Sequence, residues 1–182
     1  MNRTLTQYTA ADRPLTDLLS TVPAAAWADP SPCEGWSAAD VVGHLVAAQR
    51  EFLGTHGVDL GPAPDVATGP AAAWRAHADA VARALADDAV PAREFEGFFG
   101  PTTVGAAFLQ FYVWDMLVHR WDLARAAGVD AGLTAEELDR IEEGAESFGP
   151  ALYMDGICRT AVDAPADAPR EARVLARLGR AA

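Results

Sequence analysis

Asp115 and His119 have the types and spacing to meet on one divalent metal ion, and His44 and His77 are the single residues that could compete to join them. Asp115 and His119 lie four apart in the segment FYVWDMLVHRWD, whose periodicity is helical. Residues i and i+4 share a helix face with Cβ atoms about 5–6 Å apart, so a carboxylate and an imidazole there can converge on one ion. Phe108, Phe111, Val118 and Asp122 lie on the same side, so the pair points inward from a largely apolar stripe. His44 sits on a second apolar stripe, between Val41 and Leu45. Unpaired charges are costly to bury, and a cation is one of the few ways to settle several of them. Asp122 would then accept the free ring N–H of a ligating histidine or act as an acid or base. Taken singly these signals are weak, because DxxxH recurs by chance and a histidine on an apolar stripe is usually a hydrogen-bonded core residue.

The other chemistry-bearing residues read more blandly. His77 is flanked by Arg75 and Asp79 and is expected on a solvated face. His56, beside Gly57, reads as a helix C-terminal residue that balances the dipole. Trp36, Trp114 and Trp121 read as core or loop-anchoring aromatics. Arg120 and Arg125 could meet an anionic substrate or thiol, although such arginines are more often solvated. Cys33 and Cys158 show no metal-type spacing and are expected to remain unlinked thiols. No GxSxG elbow, phosphate-binding loop, strand-linked GxGxxG or HExxH is present.

Helices must position these groups. A first helix is expected over residues 5–21, with Pro14 kinking it or marking its start. After the turn-rich DPSPCEGW loop, Ser37 caps a second helix from Ala38 to Leu53, with Asp40 near its start. A Gly/Pro-punctuated connection leads to a third helix, Ala71 to Ala86, and residues 90–101 suit a short extended segment. Thr103 to Ala127 reads as one long helix ended by Gly128. Thr134 and Glu137 form a capping box for a fifth helix through Phe148, and a looped tail ends in a short amphipathic piece. The pattern predicts an all-α, antiparallel four-helix bundle with an additional helix, in a single domain over residues 1–182.

Composition narrows the partners. With 182 residues, 51% hydrophobic and 22% charged, the chain can bury a sizeable core. The formal charge of −12 repels phosphate backbones and anionic lipid, so neither nucleic acid nor membrane is expected as a partner. No apolar run reaches the ~18–20 residues of a membrane span, and the N-terminus lacks a signal-type apolar stretch. A cytoplasmic protein acting on a small molecule is expected, and a homodimer is compatible with it. All 14 basic residues are arginine, which removes lysine Schiff-base and general-base chemistry.

Two segments carry a resemblance. PCEGWSAADVVGHL, residues 32–45, resembles the PCxxW…DLxxHL segment of the mycothiol-dependent maleylpyruvate isomerase N-terminal domain family, which belongs to the DinB-like group of metalloenzymes. DMLVHRWDLARA, from Asp115 to Ala126, resembles that family's [DE]xxxHxWDLA signature. The tail ADAP…RLGR is similar to the ending of a short subfamily. The resemblance implies a four-helix bundle holding a divalent metal on His44, Asp115 and His119. In that isomerase the acidic position resembles this one with Glu in place of the shorter Asp115, and a further C-terminal domain is attached. The substrate is therefore not inherited with the fold.

The resemblance implies a metalloprotein that uses a low-molecular-weight thiol, mycothiol, as cosubstrate in isomerisation or S-transfer. A bound cation lowers the pKa of a coordinated thiol and makes a nucleophile at neutral pH. Two histidines and a carboxylate suit zinc first, with nickel, iron or manganese as alternatives. A non-catalytic metal- or small-molecule-binding regulatory bundle, and a metal-dependent hydrolase, are the competing expectations.

Overall fold

The computed structural model describes residues 2–181. These divide into two compact units, a larger one ending at Ala131 and a smaller one beginning at Gly132.

In the larger unit, α1 (Arg3–Thr21) starts at Asn2, whose side chain accepts the Leu5 N–H at 2.9 Å. Pro14 lies inside α1 without ending it, so the helix is longer at its N-terminus than its apolar stripe suggests. α2 (Ala38–Thr55) begins in a full capping box, in which Ser37 and Asp40 satisfy each other's backbone N–H. α3 (Pro70–Leu85) has proline in its first turn, where the missing N–H costs no helical bond.

The chain is mostly helical rather than purely so. β1 (Glu94–Gly97) and β2 (Gly100–Thr103) form an antiparallel hairpin, pairing Glu94 with Thr103 and Gly97 with Gly100. Its tip is Phe98-Phe99. A Cβ at Gly97 would lie 2.8 Å from the Thr102 Cγ2, so a larger residue there would have to displace the Thr102 side chain.

Thr103 then caps α4 (Val104–Ala107), which runs through a π-helical segment (Phe108–Val113) into α5 (Trp114–Ala127). The single long helix expected here is thus interrupted by i→i+5 bonding, which inserts a residue and shifts the faces on either side. Gly128, at φ 68°, ends α5 in the left-handed conformation that glycine adopts without strain.

α1 packs against α3 and α5, and α2 packs against the same two helices. Leu15, Val41, Leu45, Trp74, Val81, Phe108 and Leu117 are all at most 1% exposed between them. The Trp74 indole N–H donates to Asp12 Oδ1 at 2.8 Å and ties α3 to α1. Among the described residues no helix is long and apolar enough to cross a membrane.

In the smaller unit, Thr134 and Glu137 box the start of α6 (Ala135–Phe148). α7 (Arg170–Arg177) packs on α6, where Arg170 pairs with Asp139 and Glu142. Tyr153 donates its hydroxyl to the Arg177 carbonyl at 3.1 Å.

Candidate metal centre

α2 and α5 pack side by side and bring His44 to a pair 71 and 75 positions away. The Nε2 of His44 lies 3.1 Å from Asp115 Oδ2, and the Nε2 of His119 lies 3.2 Å from Asp115 Oδ1. The two imidazoles meet edge to face with centroids 5.1 Å apart. One donor atom from each of His44, Asp115 and His119 lies within 4.8 Å of the other two. Both histidines therefore offer the same ring nitrogen to the same carboxylate, from opposite sides.

The electrostatics follow from that sharing. Burial alone would raise the Asp115 carboxyl, but the His119 charge and the bonds from His119 and His44 outweigh it and hold the group well below the usual carboxylate range. Burial alone would depress the His119 imidazole, yet Asp115, and then Asp122 and Cys33, hold it well above its usual value. His119 is thus biased toward its charged form by a carboxylate on each ring nitrogen. The two Nε2 atoms and the Asp115 carboxylate converge closely enough that this donor set suits a divalent ion.

Asp122 is fully buried, and its Oδ2 accepts the His119 Nδ1–H at 2.8 Å. That bond fixes the ring's orientation and turns Nε2 toward Asp115. Cys33, from the loop before α2, joins the same network: its thiol donates to Asp122 Oδ2 at 3.3 Å and stands 3.9 Å from His119 Nδ1. Cys33, His119 and Asp122 form a second cluster of ligand-type atoms, sharing His119 with the first.

The loop itself is stapled in place. Pro30 bridges Ser37, the Ser31 hydroxyl donates to the Trp36 carbonyl at 2.9 Å, and Gly35 turns the chain at φ 77°. This sets the Trp36 ring against His44, with centroids 4.9 Å apart, and 6.2 Å from His119. Local spacing predicts only an unlinked thiol at Cys33 and a core or loop-anchoring ring at Trp36. Their place beside His44, in the one segment of the PCxxW…HL pattern, was the signal that could have found them.

The remaining residues fall elsewhere. Arg125 is exposed, its guanidinium carbon 5.6 Å from the Trp121 ring centroid, and Arg120 is fully buried in α5. His56 is the C-cap of α2 and packs its ring on Phe52 and Phe95. His77 corrects the solvated placement. It is 1% exposed, and its Nε2–H donates to the buried Gln49 Oε1 at 3.0 Å. Arg75 and Asp79, two residues to either side, lie on other faces of α3 and say nothing of the face His77 occupies. Cys33 and Cys158 are both half-buried thiols.

Residues 8–124 match the family described as the mycothiol maleylpyruvate isomerase N-terminal domain. The chain belongs to that family. The matched span takes in the whole of α2 and α3, the hairpin and α5 as far as Ala124, and so contains every residue of the centre. No curated protein and no solved structure matches the chain.

Within this member of the family, Asp122 has a role that can be measured. Asp122→Asn keeps all three donors but replaces the charged acceptor at His119 Nδ1 with a neutral amide. It is expected to weaken Zn²⁺ binding by about 10–100-fold in calorimetric titration. Unchanged affinity would show that the Nδ1–H bond does not orient the ring.

Proposed function

We propose that this chain is a divalent-metal protein that uses a low-molecular-weight thiol, mycothiol, in an isomerisation or S-transfer reaction. The observation that carries the reading is the convergence of His44 Nε2 and His119 Nε2 on the two oxygens of Asp115. Zinc suits two imidazoles and a carboxylate best, with nickel, iron or manganese next. We read the packing of α1, α2, α3 and α5 as the antiparallel DinB-like four-helix bundle, with the chain as a single functional domain. A small-molecule substrate and a cytoplasmic setting accompany that reading.

When bound, a divalent ion supplies the Lewis acidity that lowers the pKa of a coordinated thiol. The chain's own residues do the rest. His44 and Asp115, with side chains 33% and 24% exposed, leave the centre open to solvent on one side, which is where a thiol can approach. Asp122 holds the proton at His119 Nδ1, and Trp36 packs its ring against His44 and beside His119. Asp122 is enclosed, so we assign it to holding His119 rather than to exchanging protons with substrate. We likewise leave Arg125, exposed on Trp121, out of the centre.

Calorimetric titration of mycothiol tests the reading. Saturable binding is expected for Zn²⁺-loaded protein, with no heat for metal-stripped protein, and loaded protein should then conjugate or isomerise an electrophilic acceptor. Equal binding with and without metal would overturn the thiol role. Saturable binding with no turnover of any acceptor would favour a regulatory binding protein.

A further inference from the structure

A cleft of about 290 Å³ opens between the β1–β2 hairpin and the π-helical segment. Its walls are chiefly aromatic: Phe52 from α2, Phe95, Phe98 and Phe99 from the hairpin, and Phe111 and Tyr112 from the π-helical segment. Phe111 and Tyr112 are adjacent in sequence, yet both line it. The rings already touch one another, tilted in one pair and parallel in another. Phe52 and Tyr112 lie 4.6 Å apart between centroids, and Phe99 and Phe111 are nearly parallel, at 13° and 6.2 Å. Phe98 and Phe99 are 68% and 51% exposed, so the hairpin tip presents ring surface that nothing in the fold covers. No charged side chain lines the cleft, and Thr102, Gln110 and the Tyr112 phenol supply its polar edges. An anionic group would find no counter-charge there.

The cleft lies along the same two helical segments that carry the metal centre. His44, Ala48 and Phe52 are successive i, i+4 positions on α2, and Tyr112 stands three residues before Asp115. At 1.5 Å rise per residue, the cleft begins roughly 5–12 Å along the helices from the metal ligands. Ala48 lies between His44 and Phe52 on this face of α2, one turn from each. The volume is at the lower end of the ~300–1,000 Å³ usual for small-molecule sites, enough for one or two fused rings.

We propose that this cleft is the acceptor subsite of the centre and takes a flat, uncharged aromatic or conjugated ring group. Its assignment as an acceptor subsite rests on the metal and thiol reading above, whereas the ring-binding itself does not. The test uses 2-naphthol as probe, with decahydro-2-naphthol and 2-naphthoate as controls for flatness and charge. Metal-free protein is expected to bind 2-naphthol saturably and at least about tenfold more tightly than either control, since only a flat neutral π-face meets the stacked rings. Phe99→Ala and Phe111→Leu should each weaken it by about tenfold with helicity unchanged, the first lying at the exposed tip where folding does not depend on it. With Co²⁺ in the centre, the bound naphthol protons should relax faster than with Zn²⁺, reporting their closeness to the ion. Equal binding of the three probes, or no effect of both substitutions, would overturn the ring site. Bound naphthol with no Co²⁺ effect would overturn its link to the centre. A concentration-dependent dimer abolished by the same substitutions, with no naphthol bound, would assign the cleft to a second copy instead and overturn the proposal. Loss of metal binding with naphthol binding intact would overturn the thiol reading while the ring site stood.

Discussion

His119→Ala is expected to weaken divalent-ion binding by at least about 100-fold and to destabilise the fold by roughly 3–5 kcal/mol. Both effects come from one imidazole with two occupied nitrogens. Its Nε2 is one of three donors to the ion, and its Nδ1–H neutralises the fully buried Asp122. Removing the ring deletes a ligand and takes away the shortest bond to the enclosed Asp122 carboxylate, which keeps the Cys33 thiol. His44→Ala separates the two effects. That side chain is 33% exposed and pairs with the partly exposed Asp115, so affinity should fall by a similar factor with about 1 kcal/mol or less of stability lost. Chelator-competition titrations and urea unfolding of both variants make the measurement. Retention of full affinity by His119→Ala would show that it is no ligand. Equal destabilisation by both substitutions would show that the Asp122 bond contributes nothing.

Acidification should destabilise the protein through His77. Burial, and then the charge of Arg50, push its imidazole down to about 4. Between pH 6.5 and 4 an unfolded histidine takes up a proton that the native one does not, so native stability falls as pH drops through that window. The loss reaches roughly 3 kcal/mol by pH 4. Asp115 does not add to it, because its depressed carboxyl keeps its contribution until the pH is lower still. The raised imidazole of His119 is charged throughout the window and contributes a constant amount. Asp12, raised by burial, works in the opposite sense and cancels when variant and parent are compared. His77→Gln keeps a donor for Gln49 Oε1 and removes the titration. Urea unfolding at pH 7, 6, 5 and 4 should show a flatter dependence for the variant. Parallel curves would mean that His77 titrates alike in the folded and unfolded chains.

The sequence by itself determined whatever depends on groups within about one helical turn. The Asp115–His119 spacing placed a carboxylate and an imidazole on one face, and they meet at 3.2 Å. The Ser37–Asp40 and Thr134–Glu137 boxes marked the starts of α2 and α6, because each is closed by side chains reaching their own backbone three residues away. Gly128 marked the end of α5 by its tolerance of positive φ. Only the tertiary structure decided what depends on segments distant in the chain. His77 shows the limit most sharply, since its polar neighbours at i±2 suggested solvent while packing against Gln49 of α2 enclosed it. The approach of His44 across 71 positions depends on how α2 is rotated against α5, which no local spacing specifies. The same holds for Cys33 and Trp36, which the Ser31 and Pro30 contacts dock onto the centre. The π-helical segment and the hairpin form their cleft only where Phe52 of a third, remote element closes it. Hydrogen bonds along a helix are satisfied locally and can be read from spacing. The rotation and docking of elements are set by burial summed over many distant side chains, and that sum exists only in the folded molecule.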